Sequence, residues 1–161
     1  MRKIIFLLGL ILLVNTSCEK DDFCLKNPVT PKLVLRFYDD ENRELTKKAK
    51  LLTVWVIDKD TLDGYASTST DSIAIPINTL ATETTYQLKV NNEDGAKADN
   101  EITTFTIKYT PEEVYVSRSC GYQVIFNDVT FSSDNNWIVD FTPETLTTID
   151  NQNTAHVQIY H

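Results

Sequence analysis

Three cysteines, two histidines and a handful of acids are the residues of this 161-residue chain that could do chemistry. Cys18, Cys24 and Cys120 offer thiols for covalent modification, for a disulfide or for nucleophilic attack. A catalytic thiolate at Cys120 needs a base, and His156 and His161 are the only imidazoles available. Zinc is poorly served, because no C-x-x-C spacing occurs. Asp58-Lys59-Asp60-Thr61-Leu62-Asp63-Gly64 has a calcium-loop look. Aligning Gly64 with the loop glycine, however, puts Lys59 at the first ligand position and leaves no terminal glutamate at the right distance. A hairpin turn is the better reading. Asp58, Asp60 and Asp128 would serve a hydrolase only if folding brought them together. No G-x-S-x-G, phosphate-binding glycine loop or H-E-x-x-H is present, and four glycines are too few to cradle a nucleotide. The expectation is a non-enzyme with no cofactor and no metal.

The most distinctive internal stretch is Val116-Ser117-Arg118-Ser119-Cys120-Gly121-Tyr122. A polar strand end runs into a cysteine, then a glycine that permits unusual φ, then an aromatic. Its structural reading is a turn held by a disulfide. Its functional reading makes Arg118 and Tyr122 part of a ligand surface, with His156 on the final strand as a third candidate. On that strand Val157 and Ile159 face one way, and His156, Gln158 and Tyr160 the other. A free strand edge there would invite pairing with a partner.

These residues stand behind an address. Arg2 and Lys3 precede Ile4 to Val14, an uncharged apolar run of 11 residues. A helix spanning a hydrocarbon core takes roughly 20. Asn15-Thr16-Ser17 and then Cys18 complete the layout of a secretory signal peptide over residues 1–17. A cysteine just after the cleavage point resembles a bacterial lipoprotein signal, which implies that Cys18 is lipidated and holds the chain to a membrane. Asn15 departs from that pattern, which favours an apolar residue there, and an ordinary secretory signal with Cys18 as a plain thiol is the alternative. Lys20-Asp21-Asp22 resembles the Bacteroidota export tag that sends lipoproteins to the outer face of the outer membrane. A solvated tether, or a protein left on the periplasmic face, is the other reading. If Cys18 carries lipid, Cys24 and Cys120 remain to pair in an oxidising compartment.

Charge agrees with solubility outside the membrane. The formal net charge is -8, and the signal carries off Arg2 and Lys3, so the remainder is more acidic still. Repulsion from phosphates makes nucleic acid an unsuitable partner.

The elements that must position these groups are strands. Lys32 to Tyr38 alternates, with Leu33, Leu35 and Phe37 on one face. Leu52, Val54 and Val56 repeat the pattern, as do Tyr86, Leu88 and Val90, then Phe105, Ile107 and Tyr109. Ser72 to Ile77 is a short strand ended by Pro76, and Pro111 marks a turn. Tyr122 to Phe131, Trp137 to Phe141 and Ala155 to Tyr160 supply the rest. Pro143 to Ile149 makes at most a helical turn. Roughly nine strands predict an all-β, antiparallel β-sandwich of immunoglobulin-like general architecture over residues 32–161, behind a lipidated tether at 18–31. A barrel is the structural alternative.

The stretches Cys18 to Asp22, Phe37-Tyr38-Asp39, Asp71-Ser72-Ile73, Ser117 to Tyr122, Trp137-Ile138 and His156 to His161 together resemble a family of uncharacterised Bacteroidota envelope lipoproteins. The resemblance implies a role in the cell envelope, beside an outer-membrane β-barrel protein; the anchor, the pair Cys24 and Cys120, the acidic β-domain and the missing catalytic constellation make the expectation a non-enzymatic binding or accessory subunit of an envelope complex. It supplies no catalytic residues. An envelope hydrolase and a small-ligand or metal-binding module are the alternatives.

Overall fold

Alternating apolar residues over so much of the sequence demand strands with one dry face, and the structure supplies them. A computed structural model describes Cys24, residues 30–91 and residues 100–161. Its ten strands are β1 (Leu33–Tyr38), β2 (Ala49–Val56), β3 (Thr68–Thr70), β4 (Ser72–Ile75), β5 (Glu83–Asn91), β6 (Asn100–Ser117), β7 (Gly121–Ser133), β8 (Asp140–Thr142), β9 (Thr145–Ile149) and β10 (Val157–Tyr160). No helix occurs among the described residues. The strands form a four-stranded sheet, β4-β1-β10-β8, and a six-stranded sheet, β3-β2-β5-β6-β7-β9. The sandwich expectation holds. The described residues divide into two compact units, Cys24 with Tyr115–Tyr122, and the remainder.

In the larger unit the inward residues of both sheets join one core. Leu33, Leu35, Phe37, Ile73, Ile75, Val157 and Ile159 come from the smaller sheet. Leu52, Val54, Tyr86, Leu88, Phe105, Ile107, Phe126 and Val129 come from the larger one. Each fully buried side chain of this kind stabilises by about 1.5–3 kcal/mol before the entropy of ordering is charged against it. A bulge lets β2 obey its pattern. Ala49 and Leu52 are both buried although three positions apart, and the register against β3 shifts between them. Leu51 takes a φ of 47° and turns outward.

Three expectations need correction. Pro111 is no turn, since β6 runs straight through it. The Tyr109 N–H donates to the Thr82 carbonyl at 2.9 Å on the β5 side. Two residues on, the missing N–H of Pro111 points to that same side, where β5 has already ended, so no ladder bond is lost. Pro143 to Ile149 is no helical turn: the β-branched run Thr145-Leu146-Thr147-Thr148-Ile149 forms β9 against β7. The third correction concerns β10. It is no edge, because it lies between β1 and β8. Its pairing with β1 is parallel, Leu35 opposite Val157 and Phe37 opposite Ile159, within an otherwise antiparallel arrangement of described pairs. Parallel neighbours need a long crossover, and nearly the whole domain serves as one.

The edge of the smaller sheet is closed by a side chain. The Tyr65 hydroxyl accepts the Ala74 N–H at 2.8 Å and donates to the Ala74 carbonyl at 3.1 Å, as a neighbouring strand would. Such a cap removes part of the template that an open edge offers to other chains.

Candidate functional site

The smaller unit gathers three residues singled out from the sequence. β6 ends at Ser117, Arg118 to Cys120 make the turn, and β7 begins at Gly121. Gly121 has a φ of 73°, and a Cβ there would meet nothing within 4 Å. Backbone conformation, not crowding, therefore asks for glycine. The Ser117 Oγ accepts the Cys120 N–H at 3.0 Å and tightens the turn. Cys120 is joined to Cys24 by a disulfide with Cα atoms 4.8 Å apart. With both sulfurs bonded, the thiol nucleophile weighed for Cys120 is closed off. Beside the bond, the rings of Tyr115 and Tyr122 meet edge to face, with centroids 5.4 Å apart. They are 57% and 64% exposed, and Arg118, in the turn that joins their strands, is exposed as well. Cys18, Lys20, Asp21 and Asp22 lie outside the described residues.

His156 belongs to the larger unit and both of its ring nitrogens are occupied there. Nδ1 accepts the Val34 N–H at 2.9 Å, and Nε2 lies 2.9 Å from the Asn151 carbonyl. Accepting at Nδ1 fixes the neutral tautomer with its proton on Nε2, which donates to Asn151. Burial holds this imidazole below its usual range, against the opposing pull of the Asn151 bond and Asp150. His156 is a structural clasp between β1 and the turn before β10.

His161, weighed in the sequence only as a base for Cys120, sits in a more suggestive place. Its ring stands edge-on to Trp137 at 5.4 Å and to Phe37 at 6.0 Å. Burial lowers its pKa as well, opposed by the Lys47 carbonyl and reinforced by the Lys47 charge. Trp137 is not the start of a strand, as the sequence suggested. It precedes β8 as a plug, its Nε1–H donating to the Leu88 carbonyl at 2.9 Å and its backbone N–H to Thr103 Oγ1 at 3.1 Å. Beside this pair lies an open cleft of ≈ 640 Å³ rimmed by Lys47, Lys48, Lys50, Ser69 and Glu101. Lys47 Nζ donates to the His161 carbonyl at 2.7 Å and lies 3.7 Å from Asp39. Three lysines within four positions mark a local reversal of sign in an acidic chain.

The acids considered for hydrolysis do not share an element. Asp58 and Asp60 follow β2, Asp128 lies on β7, and β5 and β6 separate those strands. At about 4.8 Å per strand the separation is of order 14 Å. Among the described residues no group of three or more His, Cys, Asp or Glu could hold a metal ion. Nor, among them, is any helix long and apolar enough to cross a membrane.

A family of unknown function, DUF6452, matches residues 51–161. No curated protein and no solved structure matches the chain.

Proposed function

Given that the chain belongs to DUF6452, a family of unknown function, we propose that it is a lipid-anchored, non-enzymatic accessory or binding subunit of a bacterial cell envelope. One observation carries the reading: the disulfide takes Cys24 and Cys120, and so leaves Cys18 as the single cysteine outside it. A paired disulfide belongs to an oxidising compartment. The remaining cysteine follows a positively charged start and a short apolar run, which is where a lipoprotein signal would put the acylated residue. Lys20-Asp21-Asp22 follows it as a Bacteroidota-type export tag, favouring the outer face of the outer membrane and a β-barrel protein as neighbour. The lysine-rimmed cleft favours a second reading, a module for small anionic ligands, which calorimetry with citrate and inorganic phosphate tests directly.

The anchor is tested by Cys18→Ala. Labelled palmitate should enter the wild-type protein and not the variant, and the variant should leave the membrane fraction. Unchanged labelling and fractionation would refute the assignment. Protease shaving of intact cells then reports the face.

A further inference from the structure

We infer that the tip of the β6–β7 hairpin is a membrane foot: Tyr115 and Tyr122, with Arg118 in the turn that joins their strands, rest in the headgroup layer of the leaflet that holds the acyl chains on Cys18. This rests on the lipid-anchored reading and adds the surface through which the protein meets lipid.

The tyrosines themselves point this way. The chain has seven. Tyr38, Tyr65, Tyr86, Tyr109 and Tyr160 are buried or half-buried. Only Tyr115 and Tyr122 stand in solvent, and these two touch one another. Neither hydroxyl has a hydrogen-bond partner among the described residues, whereas those of Tyr65, Tyr86, Tyr109 and Tyr160 do. An amphipathic ring with an unused hydroxyl suits the boundary between headgroups and chains, where Tyr and Trp concentrate.

Reach selects lipid as the occupant. Cys24 lies six positions after Cys18, so six peptide steps join them. Fully extended they span at most about 21 Å, and as a flexible chain their typical span is nearer 13 Å. The disulfide adds only 4.8 Å between Cα atoms. The covalent path from acyl chain to hairpin tip is therefore shorter than a bilayer is thick, about 40–45 Å with headgroups. A tether that short gives an effective concentration in the millimolar range, so even a weak preference of the rings for the interface is satisfied.

Charge does not oppose the contact. From Tyr115 to Tyr122 the sequence holds Arg118 and no acid, although the chain as a whole is strongly acidic. A run without acids leaves nothing there to repel phosphate headgroups while the rings face the glycerol level.

The test uses the full-length protein purified from membranes and reconstituted in vesicles of phosphatidylcholine and phosphatidylglycerol carrying brominated acyl chains. Tryptophan is introduced by Tyr122→Trp, by Tyr115→Trp, or by Leu80→Trp at a fully exposed site on the larger unit. Mass spectrometry first confirms acylation at Cys18. The foot predicts quenching of tryptophan at 122 and 115 at least twofold stronger than at 80, over the background of Trp55 and Trp137. Tyr115→Ser with Tyr122→Ser should roughly double hydrogen exchange of the tip amides on vesicles and leave exchange in detergent unchanged. An acylated protein quenched equally at all three sites overturns the foot and leaves the anchor standing, the tether alone then bringing protein near lipid. So does protection of the tip only when a co-purifying protein is present, which would make it a protein-binding surface. A Cys18 without acyl chain overturns both.

Discussion

Consider Cys24→Ser, which opens the disulfide to Cys120. Cys24 and Cys120 stand 96 residues apart, so the bond closes a loop that contains most of the larger unit. In the chain-entropy description a loop of about 100 residues restricts the unfolded ensemble by about 4.7 kcal/mol. Against this runs freedom recovered in the folded state, where Cys24 is no longer tied to Cys120. The expected loss is therefore about 2–5 kcal/mol, out of a typical total of about 5–15 kcal/mol for a domain. At about 2–4 °C per kcal/mol, the unfolding midpoint should fall by about 4–20 °C. Cys120→Ser should fall by the same amount, and the double variant no further, since all three lack the same bond. Wild-type protein treated with reductant should superimpose on the variants. Circular dichroism at room temperature should stay that of a β protein, because the core of the larger unit does not include either cysteine. Two results would refute the reasoning: midpoints within about 1 °C of wild type, or a double variant clearly worse than both single ones. A free thiol at Cys120 in protein taken directly from cells would refute its basis.

Acid should weaken the fold through its histidines. Both His156 and His161 have pKa values lowered by burial. Their contribution is fully present above the unfolded value of about 6.5 and is lost as pH falls through the lower folded values, because the unfolded chain takes up the protons first. Denaturant midpoints at pH 7 and pH 5 measure this, and the difference should shrink in His156→Gln. Trp137→Phe keeps an aromatic ring but removes the Nε1–H bond to the Leu88 carbonyl, which retains its ladder position opposite Thr103, so the cost in the same assay should be that of one hydrogen bond, about 0.5–1.5 kcal/mol, plus the lost ring area; an unchanged midpoint would mean that the indole bond adds nothing to the ladder.

Much of the sandwich is legible from alternation alone. Leu33, Leu35 and Phe37, Tyr86, Leu88 and Val90, and Phe105, Ile107 and Tyr109 are all buried on the faces that the period of two assigns. Local pattern failed where distant strands decided. Whether Pro111 breaks a strand depends on where β5 stops, which the residues around Pro111 do not encode. β9 was hidden because a threonine-rich run has little apolar signal until β7 lies beside it. The parallel seam between β1 and β10 joins segments with no local relation. At the candidate site, Arg118, Cys120 and Tyr122 were visible as a motif, since glycine after cysteine announces a turn. The Trp137–His161 pair was not, because an aromatic and a histidine from separate segments meet only through the fold. His156 looked like a surface group because the Val34 N–H that occupies it is 122 residues away.

That same clasp bears on how the chain comes to be folded. β1 can complete its sheet only when β10 arrives, and the Val34–His156 bond joins the same two segments. A chain delivered from its N-terminal end, from a ribosome or through a narrow pore, thus lacks a central strand of the smaller sheet until β10 has emerged. Until then β1 has only β4 beside it, and the apolar faces of Leu35 and Phe37 lack their neighbours Val157 and Ile159. Closure of the smaller sheet therefore waits on the meeting of segments 122 residues apart in sequence.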